Sequence, residues 1–333
     1  MSKKSFAAVD VKQATIVREF QYERPRRACR FDPSGRYVIS GGDENIVRRW
    51  DLEKDEHAAL EGHESWVLSF VMPVASRELI TGGYDGRLAW WDLAAKAPKP
   101  LKMIDAHRGW IRSMDVDPKG AFLATCGNDR LVKLWSLKDR RQVQELQGHK
   151  SHVYSVAFHP DGRHVVSADH LGVIRQWDTT NWQQVRQLDA GPLYSWHKGY
   201  RAAAGGVRGL SFSHDGHWLA GCGLTDATDT FGQVVHPAVV LFDWQSGRRT
   251  RIQRSDGPEK GVAWGVLFHP SQDFHTAVSG GRDGRHLYFW NKDNDKPFHT
   301  LALPSAGRDL SLTADGTRLA VAQFDGSIRL IDL

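Results

Sequence analysis

An all-β fold assembled from one repeated four-stranded unit is what this 333-residue sequence predicts. The main observation is a residue pair, an aromatic or apolar residue followed by a polar one, that ends the third predicted strand of each unit. The pairs begin at Trp50, Trp91, Trp135, Trp177, Phe242, Trp290 and Ile331, and are spaced by 41, 44, 42, 65, 48 and 41 residues. A four-stranded unit that repeats at about 40–45 residues is typical of propeller blades. We therefore predict a seven-bladed β-propeller with four antiparallel strands per blade.

The clearest copy of the unit begins at Ala106. Its four predicted strands cover residues 111–116, 121–126, 131–134 and 142–146. These runs are short, rich in apolar or β-branched side chains and bounded by turn signals, which favours strands over helices. The first turn, DPKG at Asp117, has proline second and glycine fourth, as a type I turn prefers.

The two ends of the chain predict that the ring of blades is closed. The seventh unit stops after its third strand, near residues 328–331, and has no fourth strand of its own. A strand-like run at residues 14–20 precedes the first unit and has the pattern of the other fourth strands. We expect it to complete blade seven, because closure removes exposed sheet edges. Residues 1–333 are accordingly predicted to form a single propeller domain.

The composition is ordinary for a globular protein, with 41% hydrophobic residues, 25% charged residues and a formal net charge of +5. No apolar run approaches the roughly 20 residues that span a bilayer, so no membrane contact is expected. The three cysteines, Cys29, Cys126 and Cys222, lie inside predicted strands. A sparse, odd set of cysteines is not a disulfide framework and suits a reducing compartment, which predicts a cytoplasmic protein.

The phased pairs and turns resemble the WD-repeat family of β-propellers over nearly the whole chain. This resemblance implies that a His, a Ser or Thr, an Asp and the Trp of a blade form a hydrogen-bonded set. The matching residues are His63, Thr81, Asp85 and Trp91 in blade two, and His107, Thr125, Asp129 and Trp135 in blade three. Blade four has His149, Ser167 and Trp177, but Leu171 stands where the aspartate is expected, so its set is predicted to be incomplete. Because the sets recur from blade to blade, we interpret them as structural and not catalytic.

Two insertions, residues 190–206 and 223–238, interrupt the repeat at blades four and five. Propeller connectivity brings both out on one face, which we call the insertion face. Loops longer than about 12–15 residues are usually functional or disordered. The first insertion supplies the candidate partner-binding residues Tyr194, Trp196, His197, Tyr200 and Arg201, and clustered aromatic and arginine side chains are typical of binding hot spots. The alternative is that Tyr194 and Trp196 only pack against the edge of blade five.

A second candidate set lies where the first strands begin, at the mouth of the central channel on the insertion face. Aligned by the turn that follows, one position holds Arg27, Leu68, Arg112, Tyr154, Arg208, Trp264 and Arg308. The candidate partner-binding residues here are Trp66, Trp110, Arg112, Arg208, Trp264 and Arg308. A ring of arginines would attract carboxylate or phosphate groups. The alternative is that each arginine lies between blades and pairs with a neighbouring acid.

The motifs of several enzyme classes are missing from the sequence. It contains no GxxxxGK[ST], HExxH or GxSxG pattern. None of the sixteen histidines forms a close cluster with metal-ligand spacing in the sequence, so neither a metal nor a cofactor is expected. The sequence therefore favours a non-catalytic scaffold that binds a protein partner through the insertion face. The alternatives are a nucleic-acid or other polyanion-binding protein that uses the channel mouth and, more weakly supported, an enzyme with a propeller active site.

Overall fold

Seven four-stranded antiparallel sheets and one two-stranded hairpin make up the part of the chain that the structure describes. The computed structural model describes residues 8–73, 76–198, 201–227, 235–255, 257, 260–270, 273–281 and 283–333. Over these ranges the only helical segments are two 3₁₀ turns, Val11–Gln13 and Gly191–Leu193. The predicted all-β, seven-bladed propeller is confirmed.

Each blade uses four strands in chain order, and blade one starts at the second strand of the chain. Strand β1 is Thr15–Phe20. Blade one contains β2 (Arg26–Phe31), β3 (Tyr37–Gly42), β4 (Glu44–Asp51) and β5 (Glu56–Leu60). Blade two contains β6 (Val67–Val71), β7 (Glu78–Gly83), β8 (Arg87–Asp92) and β9 (Pro100–Asp105). Blade three contains β10 (Ile111–Val116), β11 (Phe122–Gly127), β12 (Val132–Ser136) and β13 (Arg141–Leu146).

The later blades follow the same plan, with a hairpin inserted between blades four and five. Blade four contains β14 (Val153–Phe158), β15 (His164–Asp169), β16 (Val173–Asp178) and β17 (Gln184–Asp189). The hairpin is β18 (Tyr194–His197) and β19 (Ala202–Gly205). Blade five contains β20 (Gly209–Phe212), β21 (Trp218–Thr225), β22 (His236–Asp243) and β23 (Arg249–Arg254). Blade six contains β24 (Val262–Phe268), β25 (His275–Gly280), β26 (His286–Trp290) and β27 (His299–Ala302). Blade seven contains β28 (Gly307–Leu312), β29 (Arg318–Gln323) and β30 (Ile328–Asp332).

Strand β1 closes the ring, as the sequence predicts. It pairs antiparallel with β30, from Thr15 opposite Asp332 to Phe20 opposite Ile328, and so supplies the fourth strand of blade seven. Phe20 is buried in the cluster between blades seven and one, where its ring centre lies 5.1 Å from that of Trp50. The first and last strands of the chain therefore share one sheet.

The first strands of neighbouring blades contact one another all the way round, which gives the channel a continuous wall. Each first strand has a free edge, and side chains from the preceding blade accept hydrogen bonds from several of its amides. The Phe158 amide donates to Asp115 Oδ2 at 2.7 Å. The Phe31 amide donates to Ser311 Oγ at 3.0 Å, and the Cys29 amide to Asp309 Oδ2 at the same distance. These bonds satisfy backbone donors that would otherwise be left unpaired at a blade boundary.

The hydrophobic core is divided among the blade boundaries. Seven clusters of buried residues lie between adjacent blades of the described chain, each containing side chains from both. The cysteines Cys29, Cys126 and Cys222 are unpaired and buried in these clusters. Because every blade buries its faces against two neighbours, the rigidity of any one blade depends on the closed ring.

The predicted hydrogen-bonded sets are present in blades two and three. In blade two, His63 Nδ1 lies 2.9 Å from Asp85 Oδ2, and His63 Nε2 lies 2.7 Å from Thr81 Oγ1. The Trp91 indole donates to the same Thr81 oxygen at 2.9 Å. Burial alone would raise the pKa of Asp85, but its hydrogen bonds with His63 and backbone amides lower it below the ordinary value. These residues tie three strands and a turn together, which is a structural role.

The set of blade four is complete, so the prediction that it lacks an aspartate is wrong. His149 Nδ1 lies 2.8 Å from Asp169 Oδ2, and the spacing in sequence is 20 residues instead of 22. Asp169 occupies the strand-end position where blade two has Gly83, opposite the first residue of the inner strand. A Cβ added to Gly83 would lie 2.4 Å from Asp85 Oδ1. An aspartate at that strand end therefore brings its carboxylate to the same point in space.

Candidate binding surface at the channel mouth

Three of the residues predicted at the channel mouth, Arg112, Trp264 and Arg308, sit on β-bulges, whereas Trp66, Trp110 and Arg208 directly precede the first strand of their blade. In six blades the register between the first two strands shifts near the start of the first strand, as between Arg26 and Ala28 or between Ile111 and Ser113. A bulge leaves one residue out of the ladder and redirects its side chain. This local geometry explains why one aligned position in the repeat presents its side chains at the mouth and not in the blade core.

Four cationic and six aromatic side chains form a continuous ring, which we call the mouth belt. Its arginines are Arg27, Arg112, Arg208 and Arg308, and its aromatics are Trp66, Tyr84, Trp110, Tyr154, Trp264 and Phe324. Each guanidinium lies over at least two of these rings, and the rings that it contacts come from more than one blade. The belt therefore includes the predicted mouth residues Trp66, Trp110, Arg112, Arg208, Trp264 and Arg308, and brings them together.

The distances between guanidinium carbons and ring centres follow the belt around. Arg308 lies 4.7 Å from Trp264 and 5.1 Å from Phe324. Arg208 lies 5.3 Å from the same Trp264 ring and 4.4 Å from Tyr154. Such contacts are worth about 0.5–2 kcal/mol each, depending on how far the cation is removed from water. Trp264 is thus the shared support of two cations.

The other half of the belt is closed by the remaining two arginines. Arg112 lies 4.8 Å from Tyr154 and 4.5 Å from Trp110. The Trp110 ring stacks on Tyr84 at 4.0 Å with an interplanar angle of 6°. Arg27 then spans the rings of Trp66, at 4.9 Å, and Phe324, at 5.7 Å. Trp66 is 37% exposed, Trp110 41% and Phe324 44%, so the belt offers aromatic surface to solvent.

The polar partners of the belt arginines differ between the two halves. The Arg27 guanidinium donates two hydrogen bonds to the Asp43 carboxylate, the one from Nη2 at 2.9 Å. Arg112 Nε donates to Asn128 Oδ1 at 2.8 Å. Both partners lie sixteen residues after their arginine, at the end of the second strand of the same blade. The pairing with a neighbouring acid is therefore present for Arg27, whereas Arg112 bonds to an amide instead.

Arg208 and Arg308 have no such partner, because the residues sixteen positions later are Leu224 and Phe324. Within the described ranges, neither guanidinium forms an ion pair, and the Nε atom of each is buried without a hydrogen-bond acceptor. Burial and the nearby Arg27 charge lower the pKa of Arg308 to about 10, and Asp43 only partly offsets this. Burial likewise lowers the pKa of Arg208, aided by Arg112.

Burial and the positive charge of the belt arginines lower the pKa of two histidines beside the belt. Burial, and then the charge of Arg208, lower the pKa of His170 to about 4. The pKa of His152 is lowered by burial and by the charges of Arg112 and Arg130. Both imidazoles are therefore neutral near pH 7, and this sector of the mouth holds its positive charge on arginine alone.

The first insertion is ordered where it is described, as the hairpin of β18 and β19. Leu193 anchors it in the core between blades four and five. Tyr194 lies against His170, with ring centres 6.4 Å apart, and His170 in turn stacks on Tyr154 of the belt at 5.4 Å. Trp196 is 53% exposed. Tyr194 thus packs against the propeller, as the alternative expects, whereas Trp196 is exposed and its partner-binding role stays a prediction.

The remaining predicted residues of this insertion lie at or beyond the end of β18. Arg201 is exposed and has a positive φ of 49°. His197 ends β18. Tyr200 lies outside the described residues, as do residues 228–234 of the second insertion. The described parts of that second insertion continue β21 and β22 as far as the pair Thr225 and His236. Residues 223–225 and 236–238 of the insertion are therefore strand and not loop.

Three residues at the mouth were not predicted from the sequence: Tyr84 and Phe324, which belong to the belt, and His170, which stacks on Tyr154. They occupy the same aligned position as Asp43 and Asn128, sixteen residues after the bulge residue of their blade. The signal was available, because an alignment of the end of the second strand would have placed all five at the mouth. What it could not give is the direction of each ring, which depends on contacts between blades.

One side-chain cluster contradicts the expectation that no histidines group with ligand spacing. The ligand atoms of His159, Asp161 and His164 lie within 4.8 Å of one another, in the first turn of blade four. The tight turn brings them together although they are not adjacent in sequence. His159 Nε2 donates to the Gly216 carbonyl at 2.9 Å, and its Nδ1 accepts from the Asp161 amide at 3.1 Å. These bonds fasten the turn to blade five.

Comparison with known families agrees with this architecture. The repeat family described as "WD domain, G-beta repeat" matches residues 22–51, 55–92, 98–136, 140–178 and 193–228, which together exceed half of the chain. The chain belongs to the WD40 repeat family. The WD40 match ends before blades six and seven, whose strands are present in the structure all the same.

Several curated WD40 relatives match part of the chain. The rat (Rattus norvegicus) apoptotic protease-activating factor 1 is 25% identical over 61% of this chain and 16% of its own length. Transcription initiation factor TFIID subunit 5 of Caenorhabditis elegans is 27% identical over 49% of this chain and 25% of its own length. The p21-activated protein kinase-interacting protein 1-like of Danio rerio is 28% identical over 39% and 34%, respectively. The chain thus spans about a third or less of the length of these WD40 relatives.

The structure also bears on the membrane question. Among the described residues, no helix has the length and apolar character needed to cross a bilayer.

Proposed function

We propose that this WD40 protein is a non-catalytic scaffold that binds a protein partner through its insertion face. The observation that carries the proposal is the set of exposed aromatic side chains around the rigid mouth belt. Trp66, Trp110 and Phe324 belong to the belt, and Trp196 extends the aromatic surface outward on the hairpin. Tryptophan, tyrosine and arginine are enriched in binding hot spots, and a rigid support reduces the entropy lost on binding.

Relatives support a role in protein assembly. One relative is named as a subunit of TFIID and another as a protein that interacts with p21-activated kinase. A fold does not by itself specify a function, which is determined by the residues of the binding surface. For this chain we propose the same class of activity without assigning either of those partners.

We further propose that the complex forms in the cytoplasm. The support is the three unpaired, buried cysteines, which suit a reducing compartment. Fractionation of cells that express the tagged protein tests this location, and recovery of the protein mainly with nuclei would contradict it.

The test of the binding role compares two faces with matched variants. Trp110→Ala combined with Trp196→Ala removes two exposed indoles from the insertion face. Phe298→Ala removes an aromatic ring, 39% exposed, from the turn between β26 and β27 on the opposite face. Proteins retained by the wild-type chain in an affinity purification are identified by mass spectrometry and then measured one by one against both variants.

We expect the tryptophan double variant to weaken retention of a specific partner by at least about tenfold, since hot-spot residues each contribute about 2 kcal/mol or more. The Phe298 variant should bind normally. Equal retention by the tryptophan variant, together with loss of binding in the Phe298 variant, would place the working surface on the opposite face.

A further inference from the structure

We infer that the sector of the mouth belt formed by Arg208, Trp264 and Arg308 binds carboxylate side chains, so that the partner segment entering the channel mouth is an acidic peptide. This inference rests on the proposed function, because it names the chemistry of the partner at the same face.

The charge balance of the belt is unequal. Among its described contacts, four guanidinium groups face one carboxylate, that of Asp43, which Arg27 already engages through two hydrogen bonds. Arg112 is bonded to the neutral groups of Asn128 and Tyr84. The Arg208–Trp264–Arg308 sector therefore contains two cations and no anion. An acidic group that binds there meets an attraction that no side chain of this sector now satisfies.

The two arginines of the sector are also removed from water without an acidic partner, and Arg208 has a side-chain hydrogen bond only with the neutral Tyr154. Their Nε atoms are buried and lack acceptors, so their terminal nitrogens are the donors that remain for a ligand. A carboxylate accepts two parallel hydrogen bonds from one guanidinium, and such charge-assisted bonds are stronger than neutral ones. Because Trp264 holds both guanidinium groups against its ring, little side-chain entropy is lost when the anion arrives.

The aromatic rings favour an acidic peptide over a single-stranded nucleic acid. Binding of bases requires free aromatic faces on which they can stack. Tyr84 and Trp110 already stack on each other, and both Tyr154 and Trp264 carry two guanidinium groups. The Arg208–Trp264–Arg308 sector therefore offers cations supported by aromatics, not open stacking platforms. Carboxylates on a flexible peptide match this arrangement better than bases do.

The experiment uses the full chain and a fluorescein-labelled hexaglutamate peptide, with hexaglutamine as the uncharged control. Fluorescence anisotropy gives the dissociation constant at two salt concentrations. The test variant combines Arg208→Gln with Arg308→Gln. The matched control is Arg163→Gln, an exposed arginine in the first turn of blade four on the opposite face. Asp43→Asn serves as a variant with the opposite expected effect on hexaglutamate binding, because it leaves Arg27 without its acid.

We expect hexaglutamate to bind, hexaglutamine not to bind, and the double variant to weaken binding at least tenfold with a smaller salt dependence. Arg163→Gln should change nothing, and Asp43→Asn should strengthen binding. A double variant that binds hexaglutamate as the wild type does, or a wild type that does not bind it, overturns the inference. A labelled oligothymidine that binds more tightly and depends on the same arginines also overturns it, in favour of nucleic acid.

The outcomes separate this inference from the proposed function. If a protein partner is lost with the tryptophan double variant while hexaglutamate fails to bind, the scaffold role stands and the acidic ligand is wrong. If hexaglutamate binds through Arg208 and Arg308 but no partner depends on the exposed tryptophans, the acidic ligand stands and the proposed protein-binding role fails.

Discussion

Asp115 Oδ2 accepts a hydrogen bond from the Phe158 amide at 2.7 Å, across the boundary between blades three and four. Burial raises the pKa of this carboxyl to about 6, although that bond and the charge of Arg30 act in the opposite direction. Its ordinary value is 3.8, so the folded chain holds the proton more tightly than the unfolded chain does. The contribution of Asp115 to stability is therefore fully present below about pH 4 and is lost as the pH rises through 6.

Asp115→Asn should consequently stabilise the protein at pH 7.5, by about 1–2 kcal/mol, because one pKa unit corresponds to about 1.4 kcal/mol. The amide oxygen keeps the acceptor for Phe158, and no charge is buried, but the Val116 amide loses the Oδ1 acceptor that it has at 2.9 Å. This loss reduces the gain below the roughly 3 kcal/mol that the full pKa shift corresponds to. At pH 4 the difference should vanish. Urea unfolding at both pH values measures it, with the exposed Asp139→Asn in the same blade as the control. An Asn variant that is less stable at pH 7.5 would show that the carboxylate charge is needed.

Arg27 is paired with an acid and Arg308 is not, so we expect their replacement to change the free energy of unfolding in opposite directions. Arg308→Met replaces a desolvated cation that has no acid of its own, and methionine still packs between Trp264 and Phe324. We expect the free protein to gain about 1 kcal/mol, as is often found when buried ionic groups are replaced by apolar ones. Arg27→Met should instead lose about 1–2 kcal/mol, because it leaves Asp43 without its cation. Thermal unfolding compares them, and a loss of stability in both would contradict the distinction.

The corrected set of blade four predicts a stability effect that the sequence did not suggest. Asp169→Ala removes the acceptor of the His149 Nδ1–H inside the fold, where Asp169 is only 1% exposed. A buried donor left unpaired costs about 1–3 kcal/mol, and Asp85→Ala should have an effect of the same size. The solvent-exposed Asp105→Ala is the control, expected within about 0.5 kcal/mol of wild type. If Asp169→Ala unfolds like that control, blade four does not depend on its set.

Ring closure predicts that the segment containing β1 is indispensable. Deletion of residues 1–20 leaves β30 with an unpaired edge and opens the cluster that Phe20 helps to fill. We expect a lower melting temperature and loss of solubility, because exposed edges promote association. A synthetic peptide of residues 8–20, added in trans, should restore part of the melting temperature, whereas the same peptide with Phe20→Asp should not. Melting of the truncated chain at the wild-type temperature would disprove this closure.

The number of blades, the pairing of β1 with β30 and the aligned mouth position could all be predicted from the sequence. Each depends on a period that repeats along the chain, so one misread unit is corrected by the others. The bond between Asp169 and His149 was not predicted, because the Asp169 carboxylate reaches His149 from a strand end where blade two has glycine. Spacing in sequence does not reveal that two backbone positions can direct a side chain to the same point.

The belt was harder to predict for a different reason. Sequence alignment placed Arg208 and Arg308 at the mouth but left open whether they pair with an acid. That question depends on the residue sixteen positions later and on rings supplied by the next blade, such as Trp264. Contacts between repeats are not encoded in the repeat itself, so they can be obtained only from the three-dimensional structure.

The pairing of Thr15 with Asp332 also sets the order of events during synthesis. Strand β1 leaves the ribosome before the other strands of this propeller, and its partner β30 leaves after them. At about 5–20 residues per second, the interval between them is on the order of 15–60 s. Throughout that time the nascent chain carries a strand whose hydrogen-bonded partner strand has not been made, and a contact of very long sequence separation is formed only at the end. The step that completes the propeller therefore waits for translation, however fast the individual blades form.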